Sequence, residues 1–131
     1  MNSLVKSPVK ARSQIVLLED DNGVRRSLQL LLQGRGFDVK AYAGAGPLLA
    51  DPEFAEADCL VADYRLADTN GIEVLRSLRR NGWTKPAVLV TAFGSAEVIA
   101  DAAAAGFDEV FEKPVKDHVL ISALQRLTAR D

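Results

Sequence analysis

The sequence predicts an α/β fold, a doubly wound parallel sheet of five strands with helices on both faces. Three observations carry that prediction. From Gln14 onward, short apolar runs alternate with stretches of helical period. Three of the five runs are apolar throughout, as strands buried on both faces must be. The other two are flanked or interrupted by charge, which places them at the sheet edges.

The first strand is Ile15-Val16-Leu17-Leu18, too short for a helix. Asn22 is then placed to cap a helix on which Val24, Leu28, Leu31 and Leu32 share one face. Gly34 and Gly36 end that helix. Phe37 to Ala41 alternates and reads as a half-exposed strand. Gly44, Gly46, Pro47, Asp51 and Pro52 break the next stretch, so its helix is short. Cys59-Leu60-Val61-Ala62 is the third strand. Asn70-Gly71 opens a helix with Ile72, Leu75 and Leu78 inward, ended at Asn81-Gly82. Ala87-Val88-Leu89-Val90 is the fourth strand, entered through Pro86. Ser95 caps an alanine-rich helix that stops at Gly106. Val110-Phe111 lies in a short fifth strand, and Asp117 caps a last helix whose inner face is Leu120, Ala123, Leu124 and Leu127.

With the charged strands at the edges, the predicted order is 2-1-3-4-5. That order has a switch point between strands 1 and 3, where ligands bind beyond the carboxyl ends.

Composition narrows the function classes. The chain of 131 residues is 48% apolar and 26% charged, which excludes a disordered chain, a collagen-like repeat and a coiled coil. No apolar run approaches the ~20 residues needed to span a bilayer, so no membrane partner is expected. Sixteen Lys+Arg against eighteen Asp+Glu leave no basic footprint for nucleic acid. One cysteine, Cys59, excludes an intrachain disulfide and a cysteine zinc site, and a reducing cytoplasm is the expected location. Residues 1–13 lack a secretory apolar core and read as a loose, basic tail, leaving 14–129 as the domain.

The chemistry collects where the strands end. Glu19, Asp20 and Asp21 follow strand 1, Asp63 follows strand 3, Thr91 ends strand 4, and Lys113-Pro114 ends strand 5. In a parallel sheet these ends share one edge. Clustered carboxylates repel unless a positive charge sits among them. A hard divalent cation answers this, and Mg²⁺ takes one or two carboxylates while keeping positions open for phosphate oxygens. A nucleophilic carboxylate, a metal, a hydroxyl donor and a mobile ammonium are what phosphoryl transfer to a carboxylate requires. Any one of these residues alone is an ordinary loop residue; the conjunction at four strand ends is the signal.

From Gln14 to about Ala129, the sequence resembles the receiver domain of two-component response regulators, a flavodoxin-like fold. The resemblance rests on Leu17-Leu18-Glu19-Asp20-Asp21-Asn22, Leu60-Val61-Ala62-Asp63-Tyr64-Arg65-Leu66, Asn70-Gly71, Val90-Thr91-Ala92 and Glu112-Lys113-Pro114. It implies Asp63 as phosphoacceptor, with Thr91 and Lys113 engaging the phosphoryl oxygens. It implies Mg²⁺ held by Asp20, Asp63 and the backbone carbonyl of Arg65, with Glu19 completing the acidic pair through water. It also implies a cis Lys113–Pro114 bond. The partners implied are a sensor histidine kinase or histidine phosphotransfer protein, an output protein, and a second copy paired through helix 4, strand 5 and helix 5, where Ala102 to Ala105 permits close approach. A regulatory domain, not an enzyme, is the expectation.

Two positions depart from the family pattern. Ala67 stands where proline is common, which predicts a more mobile loop from Leu66 to Asn70. Val110 stands where the switch aromatic is usual, with Phe111 one place later and so on the opposite face, inward in the core. His118 and the arginines Arg76, Arg79 and Arg80 read as solvated, Cys59 as core, Trp83 as loop packing, and Tyr64 and Phe93 as flanking the site.

The expected function is thus a phosphorylation-dependent switch, either stand-alone or excised from a larger regulator, since nothing long follows the fifth helix. The alternative is a constitutive interaction module on the same fold. An aspartyl phosphatase is disfavoured because Arg65 stands where a second acid belongs. A nucleotide or flavin binder is disfavoured because Glu19-Asp20-Asp21 replaces a phosphate loop.

Overall fold

In the computed structural model, which describes residues 12–129, five parallel strands lie in the order β2-β1-β3-β4-β5. They are β1 (Gln14–Leu18), β2 (Asp38–Tyr42), β3 (Cys59–Asp63), β4 (Ala87–Thr91) and β5 (Glu109–Glu112). The helices are α1 (Asn22–Gly34), α2 (Ala45–Ala50), α3 (Gly71–Arg80), α4 (Ala96–Ala105) and α5 (Asp117–Leu127), with a short 3₁₀ helix at Pro52–Glu56. Residues 1–11 of the predicted tail lie outside the described residues.

Burial follows the strand order. β3 and β4 are buried along their whole length, and β1 is buried from Ile15 on. The edge strands β2 and β5 are only partly covered. Side chains alternate across the pleat, so the sheet separates two cores. On one face Ile15, Leu17, Val61 and Val88 meet Leu32 of α1 and Leu120, Ile121 and Leu124 of α5. On the other, Val16, Leu18, Leu60 and Leu89 meet Leu48 of α2, Leu75 of α3 and Ala102 of α4.

Several local expectations are corrected. Asp21, not Asn22, caps α1: its backbone is extended and its Oδ1 accepts from Val24 N–H at 2.9 Å. Asn22 is already helical, and its amide oxygen accepts from Arg25 at 2.6 Å. Lys116, not Asp117, is the cap residue of α5, with no side-chain cap bond; Asp117 sits in the first turn, where the helix dipole favours an acid. Val24 shares its face with Leu28, lining one apolar cavity with Leu28, Val90 and Leu120, but is left 41% exposed at the start of α1. Phe111 lies on the face opposite Val110, as alternation requires, yet it is half-buried against the α1/α5 core because β5 is an edge strand.

Arg79 is the largest correction among the surface arginines. It is not a solvated charge. Its guanidinium donates to the carbonyls of Trp83 (3.0 Å), Lys85 (2.7 Å) and Gly106 (3.0 Å). It also stacks 5.2 Å from the Trp83 ring centroid. One fork thereby joins the end of α3, the α3–β4 loop and the end of α4. Trp83 packs as loop core: it is 7% exposed, meets Phe54 edge-on at 4.9 Å, and its indole N–H donates to the Ala57 carbonyl. Arg76 stays on the solvated side of α3, as expected, and there pairs with Glu73. Cys59 is fully buried, and burial pushes its thiol up to about 12.

At the β2 edge, Asp51 accepts from the Tyr42 hydroxyl, the Glu53 amide and Lys40, which ties the β2 edge to the segment after α2. These donors hold the Asp51 carboxyl down at about 2.

Two predictions follow from these contacts. Arg79→Ala should lower the unfolding free energy by about 1.5–3 kcal/mol in a urea titration, whereas Arg76→Ala should cost only about 0.2–0.5 kcal/mol. Asp51 is depressed in the folded chain, so its contribution is present above the ordinary carboxylate value of 3.8 and is lost as pH falls through about 2. The stability gap between the parent and Tyr42→Phe should therefore narrow across that window, as followed by urea melts at stepped pH.

Candidate functional site

The carboxyl ends of the strands deliver the polar residues because the sheet's own ladder continues one residue past them. Glu19 N–H donates to the Tyr42 carbonyl (3.1 Å), Tyr64 N–H to Val90 (2.8 Å) and Lys113 N–H to Thr91 (2.8 Å). The first residue of each exit loop is thus fixed by the sheet. Glu19, Asp63 and Lys113 continue the alternation of Leu17, Val61 and Phe111, so their side chains converge on one side of the edge.

Glu19, Asp20 and Asp63 each offer a carboxylate oxygen, and these atoms all lie within 4.8 Å of one another. Glu19 and Asp63 are buried, and Asp20 is exposed. Lys113 Nζ donates to Asp63 Oδ2 at 3.0 Å and to Glu19 Oε1 at 3.4 Å. The Lys113–Pro114 peptide is cis. Glu19 Oε2 also accepts from Asp21 N–H at 3.1 Å. Burial pushes the Glu19 carboxyl above its ordinary range and the charge of Asp63 adds to that, while the Asp21 amide and Lys113 oppose it. For Lys113, partial burial favours the neutral amine, but the hydrogen bond to Asp63 and the charges of Asp63 and Glu19 prevail and hold it above its ordinary value.

These groups line a 410 Å³ cleft together with Thr91, Tyr64, Arg65 and Phe93. The Thr91 hydroxyl is buried and occupied by its own loop: it donates to the Phe93 carbonyl and accepts from the Phe93 amide, both at 3.2 Å. Phe93 itself is 72% exposed at the cleft mouth. The neighbouring Gly94 N–H donates to Glu112 Oε2 at 3.2 Å, which ties the β4–α4 loop to the end of β5. Arg65 lies in the exit loop of β3, which is closed by a short antiparallel bridge between Arg65 and Asn70. His118 is exposed on α5 and is not among the residues lining the cleft.

Gly71 sets the depth of the site. An added Cβ there would sit 2.5 Å from the Asp63 carbonyl oxygen and 2.9 Å from Leu89 Cδ1. Gly71 N–H donates to the Tyr64 carbonyl at 2.8 Å, and Asn70 caps the helix through Glu73 N–H at 3.0 Å. The start of α3 is thereby packed directly on the Asp63 main chain.

The donor set fits a hard divalent cation. All candidate ligands are oxygen, two of the three carboxylates are buried, and the repulsion among them is only partly answered by one ammonium. Sequence reasoning located Glu19, Asp20, Asp63, Thr91, Arg65 and Lys113, and all of them line the cleft. It missed Arg25, whose guanidinium donates to the Glu19 carbonyl behind the acidic loop. The available signal was a cation in the first turn of a helix, where the dipole disfavours it.

The chain is similar to known proteins in both sequence and fold. The model of the response regulator receiver domain family matches residues 15–125. The transcriptional regulatory protein FixJ of Rhizobium meliloti (strain 1021) is 34% identical over 110 residues, 84% of this chain and 54% of that protein. The response regulator protein TodT of Pseudomonas putida is 29% identical over 113 residues, 86% of this chain and 50% of that protein. The chain thus spans about half the length of the curated relatives it matches. Among solved structures, chemotaxis protein CheY4 of Vibrio cholerae superposes with a TM-score of 0.83 at 24% identity, covering 89% of this chain and 99% of that one. A CheY-like receiver domain protein from Methanospirillum hungatei JF-1 gives 0.80 at 25% identity, covering 88% and 92%. Among the described residues, no helix is long and apolar enough to cross a membrane.

Gly71→Ala should lower the unfolding free energy by about 1–3 kcal/mol in urea titration, because the new methyl meets main chain that cannot move aside. Gly34→Ala, where an added Cβ meets nothing within 4 Å, is the control and should not destabilise the chain.

Proposed function

The chain belongs to the response regulator receiver domain family, and from that premise we propose that it is a phosphoacceptor switch whose receiver unit runs from residue 14 to residue 129. The observation that carries the reading is Lys113 Nζ, held between Asp63 and Glu19 in a cleft where three carboxylates meet. A structural ion pair needs no third carboxylate and no open cleft.

In this reading an oxygen of the Asp63 carboxylate attacks the phosphorus of a partner's phosphohistidine. The new O–P bond forms as the P–N bond breaks, and the imidazole leaves with the electron pair. The donor is a sensor histidine kinase or a histidine phosphotransfer protein. Asp20, Asp63 and the Arg65 carbonyl would hold Mg²⁺, with Glu19 reaching it through water. Bound there, Mg²⁺ supplies charge neutralisation for the phosphoryl oxygens.

The chain's own residues do the rest. Lys113 exchanges its hydrogen bond to the Asp63 carboxylate for one to a phosphoryl oxygen. Thr91 can donate to a second phosphoryl oxygen only by giving up the Phe93 carbonyl. The β4–α4 loop then loses one of its ties, and the face formed by α4, β5 and α5 is remodelled for an output partner or a second copy. Val110 replaces the aromatic that often follows such a movement, and the exposed Phe93, whose main chain partners the Thr91 hydroxyl, is a large side chain beside the event. Hydrolysis of the acyl phosphate resets the switch. The role is regulatory, and the cytoplasm is its setting.

Incubation with acetyl phosphate, followed by intact-mass spectrometry, tests this directly. The parent chain should gain one phosphoryl group only when Mg²⁺ is present, and Asp63→Asn should gain none. Equal labelling of Asp63→Asn and the parent would overturn the assignment of Asp63.

A further inference from the structure

Helix α1 places a cation where helix physics disfavours one. The first turns of α3, α4 and α5 carry an acid, Glu73, Glu97 and Asp117 respectively, as the positive end of the helix dipole favours. The first turn of α1, like that of α2, carries none, and its acid is the N-cap Asp21. Arg25 sits in the first turn of α1 instead, and its side chain runs back toward the helix N-terminus, the direction in which helical side chains lean.

The guanidinium is held by oxygens of the acidic loop. Nη1 donates to the Glu19 carbonyl at 2.9 Å and reaches the Asp20 carbonyl at 3.5 Å. Nη2 donates to Asn22 Oδ1 at 2.6 Å. Arg25 is half-buried and is not among the residues lining the cleft. Its charge therefore lies behind the carboxylates, on their main chain, and leaves the space among them free. Lys113 is the opposite case, a cation that reaches into the cleft and bonds the carboxylates themselves.

We infer that Arg25 is a positioning residue for cation binding: with Nη1 on the Glu19 and Asp20 carbonyls and Nη2 on Asn22, it ties the acidic loop to the start of α1 and so fixes the directions in which both carboxylates leave the main chain toward Asp63. The inference rests on the receiver reading above. Asp20 gives the reason such a device matters. Its carboxylate is exposed, so packing does not orient it, and its aim depends on the peptide that carries it. The two prongs of the guanidinium hold the loop carbonyls and Asn22 Oδ1 in one plane, whereas a lysine ammonium is a mobile point charge.

The charge and the geometry of Arg25 predict opposite effects, so the two can be told apart. Were charge its only role, removing it would deepen the negative potential and tighten Mg²⁺ binding, and Lys would replace it fully. If it positions the loop, both substitutions weaken binding.

Isothermal titration of the full chain with Mg²⁺ is the test, on the parent, Arg25→Lys and Arg25→Gln, with Mg²⁺-free thermal melts alongside. Both variants should bind Mg²⁺ about tenfold more weakly, with melting temperatures close to the parent's. In acetyl phosphate labelling, the loss should appear in the Mg²⁺ concentration required and disappear at saturating Mg²⁺. Parent-like or tighter binding by either variant overturns the inference. So does a weakening that tracks a fall in the Mg²⁺-free melting temperature, which would make Arg25 a structural residue only. A parent chain that binds no Mg²⁺ overturns the receiver reading itself, whereas a parent that binds beside variants of equal affinity overturns only the role of Arg25.

Discussion

Three carboxylate oxygens within 4.8 Å of one another, two of them on buried residues, are the constraint around which the rest of this fold is arranged. Such a cluster opposes folding unless cations and hydrogen-bond donors answer it. Lys113 answers two of the three carboxylates directly, and the Asp21 amide answers Glu19 again. Burial, with the charge of Asp63 beside it, still holds the Glu19 carboxyl above its ordinary range. A site that keeps an unbalanced negative charge inside a cleft is built to receive something positive.

The sheet makes that convergence affordable in geometric terms. Ladder bonds run one residue past β1, β3 and β5, so Glu19, Tyr64 and Lys113 leave the sheet at fixed angles. Gly71 then lets α3 approach until no Cβ would fit against the Asp63 carbonyl. On the far side of the sheet edge, the β4–α4 loop is held more lightly. Thr91 and Glu112 each bond it through side chains, while Arg79 pins the other end of α4 through the Gly106 carbonyl. Of the α4 residues only Ala102 is buried, so little hydrophobic area resists a shift of its N-terminal end.

Much of this was legible in the sequence, for identifiable reasons. Strands β1, β3 and β4 announce themselves because burial on both faces demands unbroken apolar runs. The site residues announce themselves because parallel topology sends every strand's last residue to one edge. What was not legible depends on contacts that local sequence does not encode. Asp21 and Asn22 are both good caps, and only the extended backbone at Asp21 selects between them. Arg79 finds an acceptor 27 residues away, beyond any periodicity, and so reads as one more surface arginine. Val24 matches the helical stripe and shares an apolar cavity with Leu28, Val90 and Leu120, yet stays 41% exposed at the start of α1.

The two cations of the site divide its labour according to their chemistry. Lysine is a compact point charge on a flexible stem, able to exchange one oxygen partner for another without rearranging the main chain. Lys113 therefore belongs inside the cleft, where, in the proposed switch, a carboxylate oxygen would yield to a phosphoryl oxygen. Arginine is a rigid fork that holds several acceptors in a fixed relation. Arg25 accordingly stands outside, on the main-chain carbonyls of Glu19 and Asp20. Exchanging the two residue types would put the rigid fork inside the cleft and the mobile charge on the loop carbonyls. The proposed phosphoryl switch would thus take its movable charge from Lys113 and its fixed one from Arg25.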